Sequence, residues 1–270
     1  TLVATYEKND VRSIFNKARG FGSDVTSFYN FTTAEEILTP LTQFREVGLI
    51  SSLFRVGYNY NRKYFVDLNA RVDASSKFAT NKKSALFPSI ALSWFASKEK
   101  FMKSLNIINS LKFRLSYGKI GSNPISPYQS LALMTGIRYN FNDEIVTGFY
   151  ESNLASDDLT WETTDQFNFG VDLSLFKSKI NFTIDAYHKL THDLLQNVQL
   201  PPSNGYVSRV DNFGEVENKG IDFNLNTDLV TGKDFSWNLN ANFGLNKNEL
   251  RKLNSNLDFQ LGPFLSLIHI

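Results

Sequence analysis

The sequence predicts an all-β protein, an antiparallel transmembrane β-barrel of which this chain holds a part, and three observations predict it. The first is strict alternation. Phe235, Trp237, Leu239, Ala241, Phe243 and Leu245 interleave with Ser236, Asn238, Asn240, Asn242, Gly244 and Asn246. A pleated strand sends successive side chains to opposite faces, so this stretch has one greasy face and one wet face. The second is that such strands are joined alternately by short turns and long loops, the order expected of an outer-membrane barrel. The third is the aromatic content, with 24 Phe, 11 Tyr and 3 Trp among 270 residues. These residue types favour strands and the interfacial girdles of barrels.

Taken in order, residues 1–48 read as a loop and strand remnant. Phe21-Gly22-Ser23-Asp24 and Thr32-Thr33-Ala34-Glu35-Glu36 look irregular, with a short helical turn. The barrel segment proper is expected over 49–253. Phe54, Val56, Tyr58 and Tyr60 share a face, Asn61-Arg62-Lys63 turns the chain, and Tyr64, Val66, Leu68, Ala70 and Val72 return it. A polar loop over 74–84 leads to a strand ending near Phe95, with Pro88 near its start, where proline is tolerated. A helical turn at 97–102 precedes a strand marked by Leu111, Phe113, Leu115 and Tyr117. The stretch 119–159 reads as a long functional loop carrying one hairpin near Arg138 to Phe149. Strands are then expected at 161–175 and 180–189, with a second long loop over 194–209. Ile221 to Leu229, the turn Thr231-Gly232-Lys233-Asp234 and the strand described first complete the segment. Eight to ten spanning strands are expected. Residues 254–270 read as an irregular, non-native or truncated tail, because Phe264-Leu265-Ser266-Leu267-Ile268-His269-Ile270 breaks the alternation.

Bulk composition narrows the function. The net charge is +1, so no global field points to nucleic acid. No run reaches the roughly 18 apolar residues of a membrane helix, a test that barrels evade because half of each strand is polar. With no cysteine, disulfide frameworks and thiolate metal sites are excluded. The chain opens on Thr1-Leu2-Val3-Ala4, so an export signal is expected upstream of it.

No constellation of catalytic, cofactor-binding or metal-ligating residues emerges. His188 and His192 lie about 13 Å apart along a strand and do not share a metal there. Asp157, Asp158 and Asp222 form no pair at a spacing that would select acid–base work. There is no Gly-x-Ser-x-Gly elbow and no phosphate loop. Arg71, Asp73, Lys112 and Arg114 alternate with apolar residues, which places them on a lumen wall, paired with one another or with a plug. Tyr128, Tyr139, Phe141, Phe149 and Tyr150, in a long loop, suit either stacking on a sugar or peptide or packing the loop against itself. Ligand-binding residues stay unassigned.

Several blocks in order carry a resemblance. Ala18-Arg19-Gly20-Phe21 precedes a loop; Phe54-Arg55-Val56-Gly57-Tyr58-Asn59-Tyr60 and Tyr64 are similar to "RVNYNY…RY"; Arg71-Val72-Asp73-Ala74-Ser75-Ser76-Lys77-Phe78 is similar to "RADGSSRF". Phe87-Pro88-Ser89 with Leu92-Ser93-Trp94, Leu111 to Gly118, Trp161-Glu162 with Asn168 to Asp172, and Asn212-Phe213-Gly214 with Asn218 to Asp222 continue the series. The chain resembles the SusC/RagA family of TonB-dependent outer-membrane transporters from about Ala18 to Leu253. Gly57, Ala74 and Lys77 depart from the family's usual residues.

The resemblance implies a barrel of about 22 strands in the outer membrane of a Gram-negative bacterium, in contact with its lipid. It implies import of oligosaccharides or peptides, a SusD-like surface lipoprotein over the mouth, and TonB acting through a plug that precedes this segment. It implies no cofactor and no enzyme chemistry. The alternatives are a passive porin or adhesin barrel, an outer-membrane hydrolase, and a soluble β-sandwich lectin.

Overall fold

The computed structural model describes residues 1–23, 25 and 29–252. Its core is a nine-stranded antiparallel sheet of β1 (Leu2–Phe15), β4 (Leu41–Tyr60), β5 (Tyr64–Ser75), β6 (Ser84–Phe95), β7 (Ile108–Ser122), β10 (Glu162–Leu175), β11 (Ile180–His192), β14 (Glu215–Thr231) and β15 (Ser236–Lys252), in that spatial order. Every main-sheet strand pairs with the next main-sheet strand along the chain, so the sheet is an up-and-down meander. Three two-stranded ribbons fill the long connections: β2 (Ala18–Phe21) with β3 (Ala34–Ile37), β8 (Met134–Phe141) with β9 (Glu144–Glu151), and β12 (Leu195–Gln199) with β13 (Ser208–Asn212).

The tight turns sit at one end of the sheet. Asn61 and Arg62 both have positive φ, at 52° and 54°, in the three-residue connection between Tyr60 and Tyr64, which the Lys63 N–H closes by donating to the Tyr60 carbonyl at 3.0 Å. Phe176, Lys177 and Ser178 also have positive φ, in the four-residue connection between β10 and β11. The 97–102 turn consists of two short 3-10 turns, Ala96–Lys98 and Lys100–Met102. Glu99 lies between them, and its carboxylate accepts from Lys63 Nζ at 2.7 Å and the Tyr64 hydroxyl at 2.7 Å.

The first 48 residues are less irregular than their sequence implies. β1 is a full strand in register with β4, from Leu2↔Phe54 to Phe15↔Leu41, and β4 begins eight residues before Leu49. The physical reason is that Lys8, Asp10 and Arg12 interrupt the apolar alternation of β1. Cross-strand pairing, with Lys8 Nζ 2.8 Å from Glu46, carries the strand through that stretch. Likewise β11 and β14 run beyond their apolar stretches to His192 and back to Glu215. The 194–209 loop contains the β12–β13 ribbon. The 254–270 tail lies outside the described residues.

Candidate functional site

Following the register across the sheet puts all the alternating apolar residues on one face. One row runs Phe243, Phe223, Ile184, Val171, Phe113, Trp94, Tyr64 and Tyr60 from β15 to β4. Large side chains on this face, among them Phe54, Leu68, Leu115, Phe169, Ile221, Trp237 and Phe243, are exposed. A water-soluble protein rarely leaves so wide an apolar patch uncovered.

The margins of this band are oblique to the strands. At the long-loop end the first ionisable side chains on the apolar face are Lys247, Lys219 and His188, which share one register row on β15, β14 and β11. On β10 and β7 they are Asp165 and Lys119, one row further out, and on β1 the first is Lys8, four rows further out. The opposite margin climbs in parallel, from Trp237 on β15 to Trp94, Tyr64 and Tyr60 on β6, β5 and β4. A climb of about eight residues over eight strand-to-strand steps is about one residue per strand. With about 3.3 Å rise per residue and about 4.8 Å between strands, that stagger corresponds to a tilt of about 35°. This is the tilt of strands in membrane barrels. The band spans five or six outward positions per strand, about 25 Å once tilted, which matches a barrel's lipid zone.

The other face is polar and internally bonded. Asn218 accepts from Asn248 Nδ2 at 2.7 Å, Asn226 from Asn238 at 3.2 Å, and Asn224 pairs with Asn242. An amide both donates and accepts, so facing asparagines satisfy one another without charge. Arg114 reaches across two strands, to Asp172 on β10 at 2.9 Å and Asp185 on β11 at 2.8 Å. Arg71 pairs with Asp73 at 2.7 Å, while Lys112 lies over the Phe95 ring at 5.2 Å. The sequence placed these four on one wall, and they lie there. The sequence does not mark Asp172 and Asp185 as partners of Arg114, because only the register brings those strands beside it. Asp222 faces Asp185 across β11–β14 and lies over Gly244.

At the long-loop end the connections fold onto one another. Phe78, Phe87, Ile125, Leu159, Trp161 and Val210 form a buried cluster drawn from three loops and their flanking strands. Trp161 donates from its indole to the Lys83 carbonyl at 2.9 Å, and Ser156 donates to the Val210 carbonyl at 2.7 Å. Lys77 Nζ donates to the Asn123 carbonyl at 3.0 Å, and burial holds its pKa below the ordinary lysine value. Beside this cluster is a cleft of about 490 Å³ whose lining includes Gln129, Tyr150, Glu151, Asn153, Tyr206 and Arg209. The Tyr206 hydroxyl donates to Glu151 at 3.0 Å, and that bond raises its pKa. Arg209 pairs with Asp211 at 2.5 Å, and its Nε is buried without a partner among the described residues. The arrangement offers two phenol rings, amides and both charge signs to a polar ligand, with no nucleophile–base pair.

Of the five aromatics that the sequence singles out between 119 and 159, only Tyr150 lines the cleft. The Tyr128 hydroxyl accepts from the Glu46 amide at 3.1 Å, and Tyr139 packs edge-on against Phe141 at 6.5 Å. Phe149 stays exposed on the β8–β9 ribbon. No sequence pattern marks Tyr206 and Arg209; the neighbouring Pro201-Pro202-Ser203-Asn204-Gly205 marks only a loop. His188 contacts Glu217 at 2.7 Å and His192 contacts Asp165 at 3.1 Å, so each has its own acidic partner. Asp157 and Asp158 are exposed in the loop. Among the described residues no group of three or more His, Asp or Glu is placed to hold a metal ion.

Residues 5–262 match the family described as TonB dependent receptor-like, beta-barrel. TonB-dependent receptor P3 of Formosa agariphila is 38% identical over 92% of this chain and 25% of its own length. TonB-dependent receptor SusC of Bacteroides thetaiotaomicron is 32% identical over 76% of the chain and 21% of its own length. The solved structure of the RagAB peptide transporter superposes with a TM-score of 0.83 at 28% identity, covering 97% of this chain and 29% of that one. The chain thus spans about a quarter of the length of the curated relatives it matches.

Proposed function

This chain belongs to the TonB-dependent receptor β-barrel family, of SusC/RagA type, and from that premise we propose that it is part of a transporter importing oligosaccharides or peptides across the outer membrane of a Gram-negative bacterium. The observation that carries the membrane part is the oblique apolar band, whose height and stagger suit a tilted barrel in lipid. The polar asparagine-rich face lines the lumen in this reading, and the long loops with their cleft face outward. A SusD-like surface lipoprotein caps those loops, and TonB acts through a plug elsewhere in the whole protein. No bond of the cargo is broken, so the reading needs no catalytic group.

Nutrient uptake in cells carrying the whole protein tests this. Uptake of an oligosaccharide or peptide mixture is expected to fall to background when TonB is deleted; TonB-independent uptake would indicate a passive porin instead. With the cleft as the contact surface, replacing Tyr150 and Tyr206 with Ala raises the half-saturating concentration about fivefold, the scale of one or two lost aromatic contacts. Unchanged saturation would remove the cleft from the cargo path.

A further inference from the structure

The two margins of the apolar band differ in chemistry. At the tight-turn margin the outward rows end in Tyr60, Tyr64, Trp94 and Trp237, all uncharged. At the long-loop margin they end in ionisable groups, and on β11, β14 and β15 the first position beyond the apolar rows is His188, Lys219 and Lys247, side by side in one register row. Lys219 and Lys247 are direct cross-strand neighbours, an arrangement that like charges disfavour. The next row out carries the reverse, Glu217 opposite Glu249. Glu217 takes His188 at 2.7 Å and Lys219 at 3.2 Å, while Glu249 takes Lys247 at 3.3 Å. Arg251 also reaches Glu217, at 2.5 Å. The carboxylates of the acidic row lie on one side of these groups, and His188, Lys219 and Lys247 keep 48%, 45% and 63% of their side-chain surface exposed.

We infer that His188, Lys219 and Lys247 form a seat for a phosphate group of an outer-leaflet glycolipid whose acyl chains lie along Ile221, Phe223, Phe243 and Leu245. The occupant follows from the position of the row. A group that meets it while its tails cover the neighbouring apolar rows must be amphipathic, and a row of cations with a hydrogen-bonding His selects an anion. The phosphate relieves the Lys219–Lys247 repulsion from the side that the carboxylates leave open. This inference rests on the reading that the apolar face meets lipid.

The test uses the whole protein in phosphatidylcholine nanodiscs doped with lipid A, or with lipid A from which the phosphates have been removed, and counts retained glycolipid by native mass spectrometry after gentle delipidation. Wild type is expected to retain phosphorylated lipid A about tenfold better than K219Q/K247Q, with the dephosphorylated lipid held weakly and equally by both. Heat-dependent gel mobility confirms that the double variant is folded, and H188Q supplies a second, milder variant. Equal retention by wild type and both variants, or equal retention of the two lipids, overturns the phosphate seat while leaving the apolar band in the bilayer. Displacement of the lipid by millimolar inorganic phosphate overturns the glycolipid as the source. Failure of the wild type to enter nanodiscs at all overturns the membrane reading itself.

Discussion

The sheet and the loops above it bury their side chains by opposite rules. In the middle of β15, Phe243 is 61% exposed, although it sits on a regular strand flanked by apolar neighbours. In the loops, Phe78 is 2% and Trp161 5% exposed, although neither lies within a strand or helix. In an ordinary globular protein the sheet would hold the core and the loops would carry the exposed residues. Under the proposed function the inversion has a direct cause, two solvents acting on one chain. The loops fold by expelling water, while the sheet keeps its apolar face open for a solvent that is itself apolar.

The largest effect is expected where water does the work. Trp161→Ala removes a ring that packs on Phe78 at 5.3 Å and on Phe87 at 5.6 Å, as well as an indole hydrogen bond. A buried Trp or Phe truncation costs about 3–5 kcal/mol. The loops should then become cleavable by protease while the strands stay protected; unaltered proteolysis of the 119–161 connection would mean that the cluster does not hold the loops. Next is the lipid-facing row. Leu239→Arg should cost about 2–4 kcal/mol in folding into bilayers, and Asn240→Arg, one residue along and on the other face, far less. If the two costs are equal or reversed, the face assignment is wrong. In lipid, Leu239→Ala should fall below the roughly 2–5 kcal/mol of a water-protein core, because no closed cavity is left behind.

The same inversion explains which parts were legible in the sequence. Trp237, Leu239, Phe243 and their spacers display the period-two pattern because lipid and lumen demand opposite chemistry at every second residue. Strand β1 was obscured because Lys8, Asp10 and Arg12 stand beyond the lipid zone, where that demand ends. The tilt was hidden for a different reason. It resides in the offset between strands, and a single sequence shows each strand without its register. Arg114 was placed on the polar wall, but Asp172 and Asp185 lie 58 and 71 positions away along the chain, and only pairing brings them near. The loop cleft was illegible because Tyr206 and Arg209 follow no period at all. Loop cores are built by shape, with hydrogen bonds such as Ser156 to Val210 that pattern does not announce.

A third test probes the polar wall. Gly170 lies between the Arg114 guanidinium and Asp185, where an added Cβ would come within 2.5 Å of the Asp185 carboxylate and 2.6 Å of Arg114. Gly170→Ala should displace the Arg114–Asp185 ion pair, whose flexible side-chain ends are about a third exposed, and destabilise by about 1 kcal/mol or less. Gly136→Ala, in the β8–β9 ribbon, meets only side-chain carbons at 3.6 Å or more and should be close to silent. Equal effects at the two positions would show that the fork has room to move and does not brace the wall.

The smallest effect belongs to the tight-turn end, where water and lipid meet. Hydrogen bonds from Lys63 and then Tyr64 hold the Glu99 carboxylate below the ordinary glutamate range. A folded-state pKa lowered in this way contributes stability that is fully present above the unfolded value and is lost as the pH falls through the folded value. Acidification below the ordinary glutamate range should therefore loosen the turn that links β6 to β7 while the loop cluster at the far end is untouched. Glu99→Gln keeps the shape, removes the titration and should flatten that acid limb. The readout is hydrogen exchange at the amides of Glu99 and Met102, whose bonds to Ala96 and Glu99 carbonyls close the two 3-10 turns. Faster exchange on acidification in wild type, absent from E99Q, locates the sensitivity at this carboxylate. An identical acid response in both would assign it to other groups and leave the Glu99 carboxylate with no part in it.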